Sequence, residues 1–402
     1  MTTAPDDAPY LPLDDPDFSV RGPEVAEAQA RSWYARTPFG IAVLRHAEMG
    51  KLLLHPKLRQ GSHAWPALNG VTGTFAEWWE RTILVQEGAD HARLRKLVNP
   101  AFAGRVLEEM RPRFEALATE LVDAVEADGR CEFMRDFADP YASRILCMML
   151  GLPHDEAPHL LELASDMGLG LSVSVREHVD RVDRATEGMF AYADALLEKR
   201  RGVTGTGFMS TLIAASEDAD RLSRQELRDM ILILILGGID TTRNQLGLAI
   251  SLFAEHPEQW SLLASRPDLA RKAVEEVIRV RPTITWVTRE AVEDFEVNGL
   301  HIAEGTTVHL LSVAAGTDPA VFDGGFDISA DRKRHYGFGG GVHHCLGHAV
   351  ARSDMTVAMT VLPPRLRNLR LAGEVEWLPD SGNTGPLRLP VAFDPPVARR
   401  AV

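Results

Sequence analysis

The sequence predicts a mainly α fold with small β regions, and three stretches carry that prediction. A capping box, Ser223-Arg224-Gln225-Glu226, opens an apolar run that continues to about Phe253. Its hydroxyl and carboxylate satisfy the first free N–H groups of a helix. The run is apolar nearly all round, so the helix belongs inside the core. Residues 106–201 read as helix after helix, broken at Gly151-Leu152-Pro153 and again near 168–174. Beyond Pro282 the pattern shortens to strand-like runs at 283–288, 297–302 and 307–311, with turns at Asn298-Gly299 and Glu304-Gly305.

The elements follow in order. Residues 1–22 are rich in Pro and Asp and form an irregular lead-in. Residues 24–36 have helical composition, 41–44 are a short strand, and 47–54 a helix. Residues 56–76 form a long loop carrying His63, Trp65 and Phe75, with Trp78 and Trp79 just after it. Loops of this length are functional or mobile. Its large apolar side chains cover something, either a satellite cluster or a pocket. Residues 90–98 are helical, so His91 and Arg95 share a face. They could clamp a carboxylate or lie on a solvated basic face. Helices are expected at 106–127, 141–150, 156–167 and 176–201. The break at 168–174 could hinge a lid, and 202–207 is a flexible turn. Two further helices occupy 258–281. The second carries Glu276 and Arg279 three apart, a spacing worth little if exposed, and Pro282 ends it. Residues 318–334 are irregular, and 369–393 suggest hairpins. Neither repeats nor long linkers occur, so 1–402 is expected to be a single domain.

Composition narrows the function. Hydrophobic residues make up 45% and charged residues 25%, ordinary for a globular protein. The net charge of −14 argues against nucleic acid or an anionic membrane as partner. The amino terminus, Met1-Thr2-Thr3-Ala4-Pro5-Asp6-Asp7, lacks the pattern of a signal peptide. The most apolar run, 230–236, is too short to span a bilayer. Cys131, Cys147 and Cys345 are widely separated, which argues against a disulfide framework and for a reducing cytoplasm.

Two stretches break local rules. Gly237-Gly238-Ile239-Asp240-Thr241-Thr242 sits inside the buried helix, where each Gly costs roughly 1 kcal/mol relative to Ala. It is either a polar kink or a functional site. Phe338-Gly339-Gly340-Gly341-Val342-His343-His344-Cys345-Leu346-Gly347 places one cysteine behind glycines and ahead of a helix. There the helix dipole and free N–H groups stabilise a thiolate and could tune a metal bound to it. The plain alternatives are a buried inert cysteine, or zinc held with His335, His343, His344 and His348, although zinc sites usually show paired ligands.

The pattern Phe-Gly-x-Gly-x-His-x-Cys-x-Gly, followed by Ala351-Arg352, resembles the haem-ligand loop of the cytochrome P450 family. His91…Arg95, Gly237–Thr242 and Glu276…Arg279 resemble three further family signatures in the family's order. The resemblance covers nearly the whole chain and points to the short bacterial members. It implies the P450 fold, with haem b between the long central helix and the helix after the cysteine. It implies Cys345 as thiolate ligand of the iron, shielded by Phe338, with Gly341 and Gly347 giving the backbone close approach. His91, Arg95, Arg289 and His343 match propionate-binding positions, and Gly237 leaves room for O2. Asp240 and Thr241 match the acid–alcohol pair of proton delivery. Glu276 and Arg279 match a structural buried pair. Trp65, Trp78, Ile233, Leu236, Gly237, Ile284, Thr285, Trp286, Asn383 and Thr384 match pocket-lining positions. Two departures stand out: Gly316-Thr317 where Asn-Arg is commoner, and Gly237 where Ala is.

The implied activity is that of a monooxygenase, placing one atom of O2 in a medium-sized organic substrate by hydroxylation or epoxidation. Tailoring of a bacterial secondary metabolite follows by analogy. A peroxide-driven or oxidative-coupling haem-thiolate enzyme is the alternative, with a haem sensor or carrier behind it. Electrons would come from NAD(P)H through ferredoxin reductase and ferredoxin, docking near Arg332, Lys333, Arg334 and Arg352. A cytoplasmic monomer is expected.

Overall fold

The helix Arg224–Glu255 runs 32 residues through the core of the computed structural model, which describes residues 7–102, 104–201, 207–214, 222–323 and 325–396. Its capping box forms: the Glu226 N–H donates to Ser223 Oγ at 3.1 Å, and the Ser223 N–H donates to Glu226 Oε2 at 2.7 Å. Three helices pack on it, Asp139–Leu150, Ala157–Gly168 and Val179–Lys199. The helix after the cysteine, His348–Arg365, also touches it and rests on Gly104–Asp123 and Ala270–Val280. One large apolar cluster joins all of these.

A five-stranded sheet lies beside the helices in the order Tyr34–Thr37, Gly40–Val43, Thr307–Leu311, Trp286–Ala291, Leu58–Gln60. Only Gly40–Val43 and Thr307–Leu311 pair in parallel within it. A three-stranded sheet joins Arg130–Glu132, Pro390–Asp394 and Arg367–Leu371, and Glu376–Trp377 pairs with Pro386–Arg388. The Asn298-Gly299 turn closes a hairpin with both residues at positive φ, 48° and 78°, as two-residue hairpin loops require.

Several expectations change. The helix expected over 24–36 stops at Arg31, and Tyr34–Thr37 becomes a strand because a two-residue turn folds it onto Gly40–Val43. Helical composition loses there to ladder pairing and to burial of Tyr34 and Ala35. The loop at 56–76 holds the strand Leu58–Gln60 and the short helix Trp65–Leu68, and the helix Thr74–Trp79 begins at its end. The lead-in is packed: Leu11, Leu13 and Val20 are buried in a cluster with Trp286 and Leu311. The strand expected at 283 begins at Trp286 instead. Residues 202–206 of the flexible turn, and 1–6 of the lead-in, lie outside the described residues.

Candidate active site

The cysteine loop is shaped by backbone. Gly339 and Gly341 sit at φ +66° and +71°, where a side chain would be strained. A Cβ on Gly341 would also press on the Leu53 carbonyl at 3.2 Å. These turns bring the Cys345 N–H to the Phe338 carbonyl at 3.0 Å. Burial raises the thiol pKa. The backbone N–H groups of Gly347 and His348 and the charges of Arg95 and Arg352 work against that rise. The Arg352 guanidinium lies 4.3 Å over the Phe338 ring. Of the four neighbouring histidines only His344 and His348 meet, their rings 4.7 Å apart, and the others take separate partners. His335 reaches Glu275 at 3.0 Å, His343 reaches Glu87 at 3.1 Å, and His348 meets Arg352 at 2.8 Å. Burial holds His344 down to about 4. Among the described residues no group of three or more His, Cys, Asp or Glu could hold a metal ion.

On the central helix, Ile233, Gly237 and Thr241 are four apart and share one face. Gly237 is exposed although the helix around it is buried, and a Cβ there would meet nothing within 4 Å. A Cβ on Gly347 would likewise meet nothing within 4 Å. The Thr241 hydroxyl donates to the Gly237 carbonyl at 2.5 Å. Asp240, three residues on from Gly237, is 3% exposed. Its Oδ1 accepts from Arg243 Nε at 3.2 Å and lies 3.5 Å from Asn244 Nδ2, and its Oδ2 accepts from Asn383 Nδ2. Arg243 also reaches Asp139 at 3.2 Å. Burial opposes the Arg243 charge, but Asp240 and Asp139 overcome it and raise its pKa.

A cationic cluster stands at one edge. The His91 and His343 rings lie 4.0 Å apart. Arg95 donates to the His344 carbonyl at 2.7 Å, and Arg289, buried, donates to the Thr288 carbonyl at 3.0 Å. Burial lowers both arginine pKa values, so each guanidinium is short of counter-charge. Burial, with His343 and Arg95 beside it, takes His91 to about 4. His91 is therefore a neutral hydrogen-bond partner near pH 7, and the pair expected from spacing has one cation. Glu87, one turn before His91, was not singled out from the sequence. It accepts from the Gln60 N–H at 2.5 Å and meets His343. Its signal was a carboxylate four residues ahead of His91.

The pocket-lining candidates separate into two groups. Trp78, Ile233 and Leu236 sit in the large helical cluster. Trp286 packs with Leu11 and Leu13 on the other side of the sheet, edge-on to His309. Ile284 is half-buried. Thr285, Asn383 and Thr384 are buried with their polar atoms engaged: Thr285 donates to the Ser381 carbonyl, and Thr384 to the Leu378 carbonyl at 3.3 Å. The amide oxygen of Asn383 accepts from Thr283 at 2.9 Å. The Trp65 indole donates to the Gly170 carbonyl at 2.8 Å, tying the 56–76 segment to the break after Ala157–Gly168. Arg176 donates to the Asn69 carbonyl at 2.5 Å and the Phe75 N–H to Asp183 at 2.8 Å, fastening the segment also to the start of the helix Val179–Lys199.

Behind the cysteine loop, Glu276 and Arg279 form a buried bidentate pair at 2.6 and 2.7 Å, each side chain 2% exposed. Arg279 also donates to the carbonyls of Gly316 and Gly325. Gly316 is one of the two departures. A Cβ at 316 would collide with the Arg279 carbonyl, so glycine suits this close crossing.

The sequence model of the family described as "Cytochrome P450" matches residues 41–371. The chain belongs to the cytochrome P450 family. It is 37% identical to luteothin monooxygenase of Streptomyces thioluteus over 393 residues, covering 96% of each chain. It is 34% identical to the mycinamicin IV hydroxylase/epoxidase of Micromonospora griseorubida, covering 77% of this chain and 79% of that one. The crystal structure of CalO2 superposes with a TM-score of 0.88 at 29% identity, covering 96% of this P450 and 99% of CalO2.

This P450 is a monooxygenase whose prosthetic group is haem b. The residues fit that group. The free space beyond Gly237 and Gly347 suits a flat macrocycle. N–H groups aimed at a buried sulfur suit a metal thiolate, and under-compensated arginines suit its propionates. No described helix is long and apolar enough to cross a membrane.

Proposed function

We propose that this P450 hydroxylates or epoxidises a medium-sized, partly polar natural product, using electrons from a separate ferredoxin. The observation that carries the site assignment is the Cys345 sulfur, met by the Gly347 and His348 N–H groups on a loop bent by left-handed glycines. When bound, haem supplies O2 activation, which thiolate ligation favours.

The chain's own residues do the rest. Cys345 binds the iron, with Arg95 and Arg352 steadying its charge and Phe338 covering the sulfur. Arg95 and Arg289 take the propionates, helped by hydrogen bonds from His91 and His343. Gly237, Gly341 and Gly347 let the backbone lie close. Thr241 Oγ holds ordered water on the open side of the helix, and Asp240 passes in from outside the protons that replenish it. Trp65, Ile233, Leu236 and Ile284 wall the substrate space, with Trp78 packed among them.

The substrate class rests on relatives named for luteothin and mycinamicin IV. It also rests on the solved LnmA hydroxylase of the leinamycin pathway of Streptomyces atroolivaceus, 30% identical with a TM-score of 0.80. A cytoplasmic setting rests on three free cysteines, of which burial pushes Cys147 up to about 11 and Cys131 to about 12. The ferredoxin dock is narrower than the sequence suggested. Arg332 is held by Glu276 and Asp323, and Arg352 by Glu275, which leaves Lys333 and Arg334 as the exposed charges of that set. Charge reversal at these two should slow reduction and flatten its salt dependence. We also read the holoenzyme as a monomer, testable by sedimentation.

The deciding experiment reduces the purified protein under carbon monoxide. The red-shifted absorption of thiolate ligation is expected, and its loss in Cys345→Ser. Absence of that band in the wild type removes the assignment. Turnover of a spectrally shifting ligand with NAD(P)H, reductase and ferredoxin, but not with peroxide alone, separates monooxygenation from the peroxide-driven reading. Thr241→Ala should keep haem and divert electrons to hydrogen peroxide.

A further inference from the structure

We infer that Asn383 is a positioning residue for Asp240, fixing the acid through the turn at 378–385 rather than recognising substrate. The inference rests on the reading of Asp240 as proton source. Asn383 is 6% exposed. Its amide nitrogen donates to Asp240 Oδ2, and its amide oxygen accepts from Thr283 Oγ at 2.9 Å. The amide nitrogen thus faces Asp240, while the amide oxygen faces the Thr283 hydroxyl, whose single hydrogen it shares with the Thr384 carbonyl.

The turn that carries Asn383 is itself anchored. The Thr384 N–H donates to the Thr283 carbonyl at 2.9 Å, the Thr283 hydroxyl also reaches the Thr384 carbonyl at 2.7 Å, and Ser381 Oγ donates to the Asn383 carbonyl at 2.8 Å. Gly385 lies so close to Asn244 that a Cβ would strike it at 2.6 Å. The turn therefore leans on the central helix at the residue four beyond Asp240. Arg243 holds Oδ1, Asn383 holds Oδ2, and a Cβ on Gly168 would press on Oδ2 at 3.0 Å. The carboxylate is gripped at both oxygens. One grip comes from its own helix and the other from a turn 143 residues away.

A contact with substrate and a grip on Asp240 predict different couplings. If Asn383 acts through Asp240, its removal changes nothing once Asp240 is neutral and unable to replenish protons. The test is a double-mutant cycle on the holoenzyme: wild type, Asn383→Leu, Asp240→Asn and the double variant. NADPH drives it through a plant-type ferredoxin and its reductase with no added substrate. Hydrogen peroxide formed per NADPH and the H2O/D2O isotope effect on NADPH oxidation are read. The red-shifted carbon-monoxide band checks that the haem site is intact, and a crystal structure of Asn383→Leu reads the Asp240 rotamer.

Asn383→Leu is expected to change the peroxide yield at least twofold, with the isotope effect moving in the direction that Asp240→Asn moves it. Asp240 should turn from the 378–385 region, and the double variant should match Asp240→Asn alone. Independent, additive effects, or an unmoved Asp240, overturn the inference. An Asp240→Asn that itself changes neither readout overturns the proton-source reading instead. Should Asn383→Leu lose haem, Thr283→Val, which removes the anchor of the amide oxygen, runs the same cycle with a smaller expected change.

Discussion

Two acid–arginine pairs with the same three-residue spacing lie buried in this P450, and they are built for opposite purposes. Glu276–Arg279 is bidentate and saturated: the carboxylate also accepts from the Asp327 N–H at 3.0 Å and from Arg332, and the guanidinium lies 4.8 Å over Phe322. Asp240–Arg243 is a single contact at 3.2 Å, and its arginine is shared with Asp139. The first pair satisfies nearly every donor and acceptor it buries, which makes it a rigid fastener. The second divides its contacts among single bonds to Arg243 and Asn383, so no one partner locks the acid in place. Spacing alone does not distinguish them; the number of external partners does.

The contrast can be broken at several points. Glu276→Gln should have the largest effect, because it leaves Arg279 buried without its charge partner. A cost of about 3–5 kcal/mol is expected, a large share of a typical domain's stability. Thermal melting and haem content of the purified variant check it, and a variant with wild-type melting would erase the distinction. Asp240→Asn should melt within a few degrees of wild type and keep its haem band, while product formation falls roughly 10²-fold. Equal losses of stability in the two variants would mean that both pairs are structural.

A third buried group, His309, has no counter-charge at all, and its Nδ1 is without a partner. Burial lowers its pKa from 6.5 to about 4. The unfolded chain takes up a proton first as pH falls. Stability is therefore complete above pH 6.5 and is lost progressively as pH drops toward 4, by roughly 3 kcal/mol. His309→Phe should flatten the acid limb of a melting-temperature profile. The smallest effect belongs to Trp65→Phe, which deletes one hydrogen bond, worth about 1 kcal/mol. Stopped-flow mixing with a ligand that shifts the haem spectrum should show faster association at little change in affinity.

Much of this is legible in the sequence. The capping box, the all-round apolar helix and the Asn298-Gly299 turn are local signals, and they fold as local physics dictates. The Cys345 loop was legible because glycines at left-handed turns leave a mark in the sequence. The rest depended on partners far along the chain. Nothing near Tyr34 announces that it will pair with Val43 rather than continue a helix. Asn383 reads as a pocket residue until Asp240 is found 143 positions away. His91 looked cationic because spacing carries no information about desolvation. For Glu276 and Arg279 the spacing alone did not separate an exposed pair from a buried one, and only the family resemblance pointed to burial.

The fastening of the 56–76 segment to the region around Gly170 has a kinetic consequence. The Trp65, Arg176 and Phe75 links must all part before the two stretches of chain can separate, so their separation is one concerted event rather than gradual fraying.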